Sequence, residues 1–236
     1  MGLNEVDGNS ALDQAALVAW QSKRWNDPKT QHDTQARIAL AGVRAKCNEG
    51  RAWSQLAQLN KAPGIGHKIY WLRELAETFG DAVAPHAACT SGCAGCCYQP
   101  LASTQQEAQM IAKETGARMH TPAAWSTEPV QRYIGQPCSF LQDARCTIYR
   151  SRPMACRLMF NMDADAPLCQ MVLGAPGALS HVSYVEYKDH KELYVRAHLG
   201  PVKSQEAMQV AMDALKMADL REFFPQGLVP VGTNRV

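Results

Sequence analysis

The sequence has little of what marks several large functional classes. No apolar run approaches the roughly 20 residues that a membrane-spanning helix needs. An excess of one charge is also missing, since 24 Lys and Arg stand against 22 Asp and Glu for a formal +2. Neither nucleic acid nor a membrane surface is therefore expected as a partner. The opening MGLNEVDGNS has no basic stretch followed by an apolar core, so no secretory signal is expected. Gly2 is followed at position 6 by Val6, where a myristoylation signal wants Ser or Thr. A cytoplasmic chain is the resulting expectation. The seven histidines show no HxH or HExxH spacing, and there is no glycine-rich phosphate loop or nucleophile elbow. Internal repeats and low-complexity tracts are absent as well. With 46% hydrophobic and 19% charged residues, the composition is that of an ordinary globular protein.

Thiol is what the sequence does have. Eight of the nine cysteines, all except Cys47, fall between positions 89 and 169. In a reducing compartment they are not expected to form a disulfide framework. Cys89, Cys93 and Cys96 follow the spacing C-x3-C-x2-C within CTSGCAGCC, with Cys97 directly after. Short spacers let one loop turn its sulfurs toward a common centre, and the intervening Thr, Ser, Gly and Ala do not crowd them. One loop rarely closes a tetrahedral site. A second contribution is expected from PCSFLQDARCTIYRSRPMACR, which supplies Cys138, Cys146 and Cys156, with Cys169 a little downstream. Eight thiols suffice for two four-thiolate sites or for one cluster with spare residues. Cys47, alone on a helical stripe, reads as a small buried hydrophobe.

Zinc and iron–sulfur clusters both accept thiolate surroundings. Copper(I) has weaker support, from Met154, Met159, Met162 and Met171, which read more simply as core filler. The spacing C-x3-C-x2-C is shared with enzymes that open S-adenosylmethionine on a four-iron cluster. Here, though, only about 140 residues follow it, against roughly 250 for a typical βα barrel. Arg152 and Arg157 flank Cys156, with Arg150 just before them, and are candidates to stand behind the sulfurs and offset thiolate charge. Pro153 is expected to fix the chain ahead of Cys156, and Tyr149 to pack a short strand. His86, three residues before Cys89, is a weaker candidate ligand.

The segments around the thiols read as helical. ALDQAALVAW presents Leu12, Ala15, Ala16 and Ala19 on one face behind a Ser10 cap. Pro28 ends that segment or begins a turn. Leu40, Val43 and Cys47 form a second stripe, and Ile69, Leu72, Leu75 and Phe79 a third that Gly80 should stop. Thr104 and Glu107 make a capping-box pattern. SQEAMQVAMDALKMADLREFF is expected to form one last helix, and the stretch before it is ambiguous.

In their order along the chain, CTSGCAGCC, the helix starting between Thr104 and Glu107, PCSFL, CTIY and RPMACR resemble the bacterial cysteine-cluster family named for its CxxCxxCC motif. Members of that family are described as zinc- or iron-chelating. The likeness covers roughly residues 85–170, and the first spacing is x3 where the motif has x2. It implies Cys89, Cys93, Cys96, Cys97, Cys138, Cys146 and Cys156 as ligands, with Cys169 tied to no fixed motif position. A similar cysteine motif occurs in flagellin lysine methylases, which the resemblance links to iron–sulfur chemistry.

The expected fold is mainly α, with an irregular cysteine-rich metal-binding core between helical flanks. Residues 1–84 would form a helical N-terminal region, 85–175 the cysteine module, and 176–236 a C-terminal region ending in a helix. The expected function is chelation of an iron–sulfur cluster or zinc. An iron–sulfur-dependent group-transfer or redox enzyme is the alternative, and the absence of an obvious acid–base pair places it second.

Overall fold

A computed structural model describes residues 11–90, 92–126, 131–163, 190–200 and 204–228. Four helices come first: α1 (Ala11–Trp25), α2 (Pro28–Cys47), α3 (Glu49–Lys61) and α4 (Ile65–Val83). Pro28 opens α2, where its missing N–H costs no hydrogen bond. Behind it Asp27 caps the helix, its carboxylate accepting the Thr30 N–H at 2.8 Å. Ser10 lies outside the described residues.

Two of the expected stripes face the wrong way. Ala15, Ala16 and Ala19 are exposed while Gln21 is buried. On α2, Leu40 and Val43 are 55% and 63% exposed, and Cys47 is exposed rather than buried. The inward residues are Thr30, Thr34 and Ala41, with Ile38 half-buried between them. Both sets have helical spacing. Packing against α4 selected the second, because small residues let the two helices approach closely.

The third stripe behaves as expected, with Ile69, Leu72 and Leu75 buried and Phe79 half-buried. Gly80 does not stop α4; it lies inside the helix where Phe160 and the Arg157 carbonyl pass close by. α4 is the central strut, touching α2 and α3 as well as α5 (Gln105–Thr115), α6 (Met154–Arg157) and α7 (His190–Leu199). One core joins Leu59, Leu72 and Ala76 to Met154, Val195 and Met217.

The expected last helix is broken. It divides into α8 (Gln205–Ala214), β4 (Met217–Asp219) and α9 (Leu220–Phe223). β4 pairs antiparallel with β1 (Ala102–Thr104), Ser103 opposite Ala218. Helical propensity yields here because Met217, Ala218 and Asp219 are all buried, and a strand pair satisfies their main chain there. Thr104 caps α5 as expected, accepting the Glu107 N–H at 3.2 Å. The Glu107 carboxylate accepts the Ser103 hydroxyl at 3.2 Å and the Met154 N–H at 2.8 Å, tying α5 to the start of α6. Among the described residues the fold is mainly α around a cysteine-rich region, and no helix is long and apolar enough to cross a membrane.

Candidate metal centre

Three segments carry the thiols. The first follows α4 as two tight turns, in which the Cys93 N–H donates to the Thr90 carbonyl at 3.0 Å and the Cys97 N–H to that of Ala94 at 2.8 Å. Gly92, just before Cys93 in the first of these turns, has φ +88°, a conformation other residues resist. Cys89 is exposed, and its Sγ accepts the Asn161 N–H at 3.3 Å.

The second segment is a minimal hairpin of β2 (Leu141–Gln142) and β3 (Arg145–Cys146). Asp143 and Ala144 both have positive φ, 47° and 56°, as a two-residue turn matched to strand twist requires. The hairpin folds Cys146 back opposite Leu141, close to Cys138 in sequence and space. Phe140 anchors it from below, packed on Phe224 with ring centroids 5.0 Å apart. The third segment is the single turn α6, entered through Pro153, which carries Cys156.

Cys96, Cys97, Cys138, Cys146 and Cys156 all line one cavity. Leu101, Ile148, Met159 and Leu220 supply its apolar walls, while Arg152 and Arg221 bring positive charge. The structure thus gathers five of the expected thiols. Cys89 and Cys93 stand outside the lining, next to Cys96 along the first loop. Cys169 lies outside the described residues. All eight described cysteines are free thiols.

The surroundings treat these thiols differently. A hydrogen bond from the Cys97 thiol, aided by the Arg152 guanidinium, lowers Cys96 to about 7. The same bond, with burial, pushes Cys97 up. Burial pushes Cys138 up to about 11 and carries Cys156 well above the ordinary thiol range. Packed neutral thiols are what an apolar pocket favours, and a bound cation reverses that preference by stabilising thiolate.

Arg152 lines the cavity with its guanidinium stacked 4.0 Å above the Tyr149 ring and paired to Glu77 at 3.5 Å. Tyr149 is 61% exposed in a turn instead of packing a strand. Arg157 is absent from the lining. It pairs with Glu77 and donates from Nε to the Arg152 carbonyl at 2.9 Å, so it holds the turn that carries Arg152. His86 contributes its carbonyl to Arg37, and its ring does not line the cavity.

Sequence reasoning missed Arg221, whose side chain is 6% exposed and donates to the carbonyls of Cys97 and Gln136 at 3.0 and 2.7 Å. Within DLREFF it reads as an ordinary charge on a helix, and no local pattern marks it. Its partner Asp219 accepts from it at 3.0 Å and from the Leu101 N–H at 2.8 Å.

The donor set consists of soft sulfur, which suits zinc or iron. Among the described residues, no three His, Cys, Asp or Glu side chains are already drawn together as a ligand shell. The fit lies in the identity of the donors and their shared cavity.

These features define a thiol-lined cavity whose donors are of the kind that soft metals take. Residues 88–173 match the family model CxxCxxCC, whose description reads "Putative zinc- or iron-chelating domain". The match spans a little over a third of the chain and includes every clustered cysteine. No curated protein and no solved structure matches the chain.

Proposed function

We propose that this protein holds a metal centre through thiolates of Cys96, Cys97, Cys138, Cys146 and Cys156, with Cys89 and Cys93 at the rim. The observation that carries the reading is the convergence of five thiols from three separate segments on one cavity. In this reading residues 85–175 are the metal-binding module, set between the helical region 1–84 and the C-terminal region 176–236. Arg152 would offset thiolate charge, and Arg157 would keep it in place. A reducing, cytoplasmic setting would keep the thiols available.

The five lining thiols are enough to close a shell of four thiolates around a single ion, zinc being the simplest choice. An iron–sulfur cluster is the second reading. Its support is the number of thiols, since the seven clustered cysteines among the described residues exceed what one ion needs, and the C-x3-C-x2-C spacing of the first loop.

Elemental analysis and the visible spectrum of anaerobically purified protein test both. Stoichiometric zinc in a colourless protein supports the ion. Iron with acid-labile sulfide and a brown colour supports the cluster. Folded protein that takes up neither metal, with every thiol still titratable, would rule out chelation.

A further inference from the structure

We propose that Arg221 is the positioning residue of the thiol site, clamping together the two loops that carry Cys97 and Cys138. The inference rests on the metal-binding reading above and goes beyond it, because residue 221 lies outside the matched segment 88–173. The functional unit is then the cysteine module together with β4 and α9.

The geometry of the fork carries the argument. Nη2 of Arg221 donates to the carbonyls of Cys97 at 3.0 Å, Gln99 at 3.2 Å and Gln136 at 2.7 Å. Nη1 also reaches the Gln99 carbonyl at 3.2 Å, and Nε reaches that of Pro137 at 3.1 Å. A single planar guanidinium thus binds the main chain on both sides of the seam between Cys97 and Cys138. The Cys97 carbonyl also accepts the Cys138 N–H at 2.7 Å. Asp219 holds the other edge of the fork and is itself fixed by the Leu101 N–H. The Tyr133 ring covers the guanidinium with its centroid 5.3 Å away.

Arginine is required by this arrangement. Its five donors are set in one rigid plane, whereas lysine offers three on one nitrogen and cannot span four carbonyls on two loops. The carbonyls concerned belong to residues at or beside thiols, so a shift of the clamp moves the sulfurs.

The test compares wild type with Arg221→Lys, and with Arg44→Lys, at an exposed arginine of α2, as a control. Two readouts separate this proposal from the metal reading. The first needs no metal: rates of thiol labelling in the metal-free native protein, resolved by mass spectrometry, with exposed Cys47 as internal reference. Arg221→Lys should label Cys97 and Cys138 at least tenfold faster with Cys47 unchanged, and Arg44→Lys should match wild type. The second is the loss of pre-loaded zinc to a competing chelator, which should be at least tenfold faster in Arg221→Lys. If Arg221→Lys does not fold, Asp219→Asn replaces it. That variant keeps an acceptor for the Leu101 amide and loosens the hold on Arg221, giving the same pattern at smaller amplitude. Wild-type labelling rates at Cys97 and Cys138 in the folded variant would overturn the clamp. Wild-type protein that takes up no zinc would overturn the metal reading alone, leaving the labelling result to decide Arg221.

Discussion

The main-chain N–H of Cys138 donates to the carbonyl oxygen of Cys97 at 2.7 Å. This bond joins two thiol-bearing loops that are distant in sequence and sets how far apart their sulfurs can move. The cavity is built around that seam, with α6 bringing Cys156 from a third direction.

Metal uptake should depend on pH with a definite sign. Burial holds Cys138 and Cys156 above the ordinary thiol range, so a metal must displace their protons. Zinc affinity should therefore fall as pH is lowered from 8 to 6, about tenfold per unit for each proton displaced. Competition titrations and proton release in weak buffer both measure it. Affinity that stays flat across that range would exclude these thiols as ligands.

Glu77 serves two arginines at once, pairing with Arg157 and reaching Arg152 at 3.5 Å. Arg157 is nearly buried, with 7% of its side chain exposed, while Glu77 retains 36%. Removing the carboxylate leaves a buried cation uncompensated, and partial exposure of Glu77 moderates the loss. Glu77→Gln should cost about 1–3 kcal/mol in urea unfolding, whereas Glu77→Asp should recover part of it.

Gly227 lies at φ +60° against the main chain of Ser139, one residue past Cys138. An added Cβ would run into the Ser139 carbonyl oxygen, and the backbone conformation is itself unfavourable for any other residue. Gly227→Ala should lower stability by about 2–4 kcal/mol and speed labelling of Cys138 more than that of Cys89. Unchanged melting would mean that the C-terminal segment does not press on this loop.

Ala144 offers the opposite case. Its φ of 56° in the turn between β2 and β3 is one that alanine rarely adopts. Ala144→Gly should raise stability by about 0.5–1 kcal/mol, the relief of the left-handed conformation exceeding the added chain entropy. A thermal melt at neutral pH, read as a change in midpoint, checks the sign.

Much of the fold could be read from local pattern. The α4 stripe of Ile69, Leu72 and Leu75 is buried as its spacing demands, and the Thr104 cap begins α5. These features depend on residues a turn or two apart, which sequence displays directly. Where two stripes competed on α2, periodicity could not choose. The neighbour decided, and Thr30, Thr34 and Ala41 went inward while Leu40 and Val43 stayed in water. The stretch 204–224 failed for a related reason. Its composition is helical throughout, yet Met217–Asp219 pairs with Ala102–Thr104 from far upstream.

The chemistry of the site was determined by sequence alone, since clustered thiols on short spacers with small residues between them admit few uses besides soft-metal binding. Tertiary structure alone decided which thiols share a cavity and what holds them there. Cys96, Cys97, Cys138, Cys146 and Cys156 line it, while Cys89 and Cys93 stand outside. The clamp on Cys97 and Pro137 comes from Arg221, near the other end of the chain. Hydrogen bonds to backbone carbonyls leave no mark in the sequence of the residues that accept them, because every residue carries the same acceptor. Thiol identity is a property of side chains and can be read in order, whereas thiol placement depends on the main chain and exists only once the chain has closed on itself.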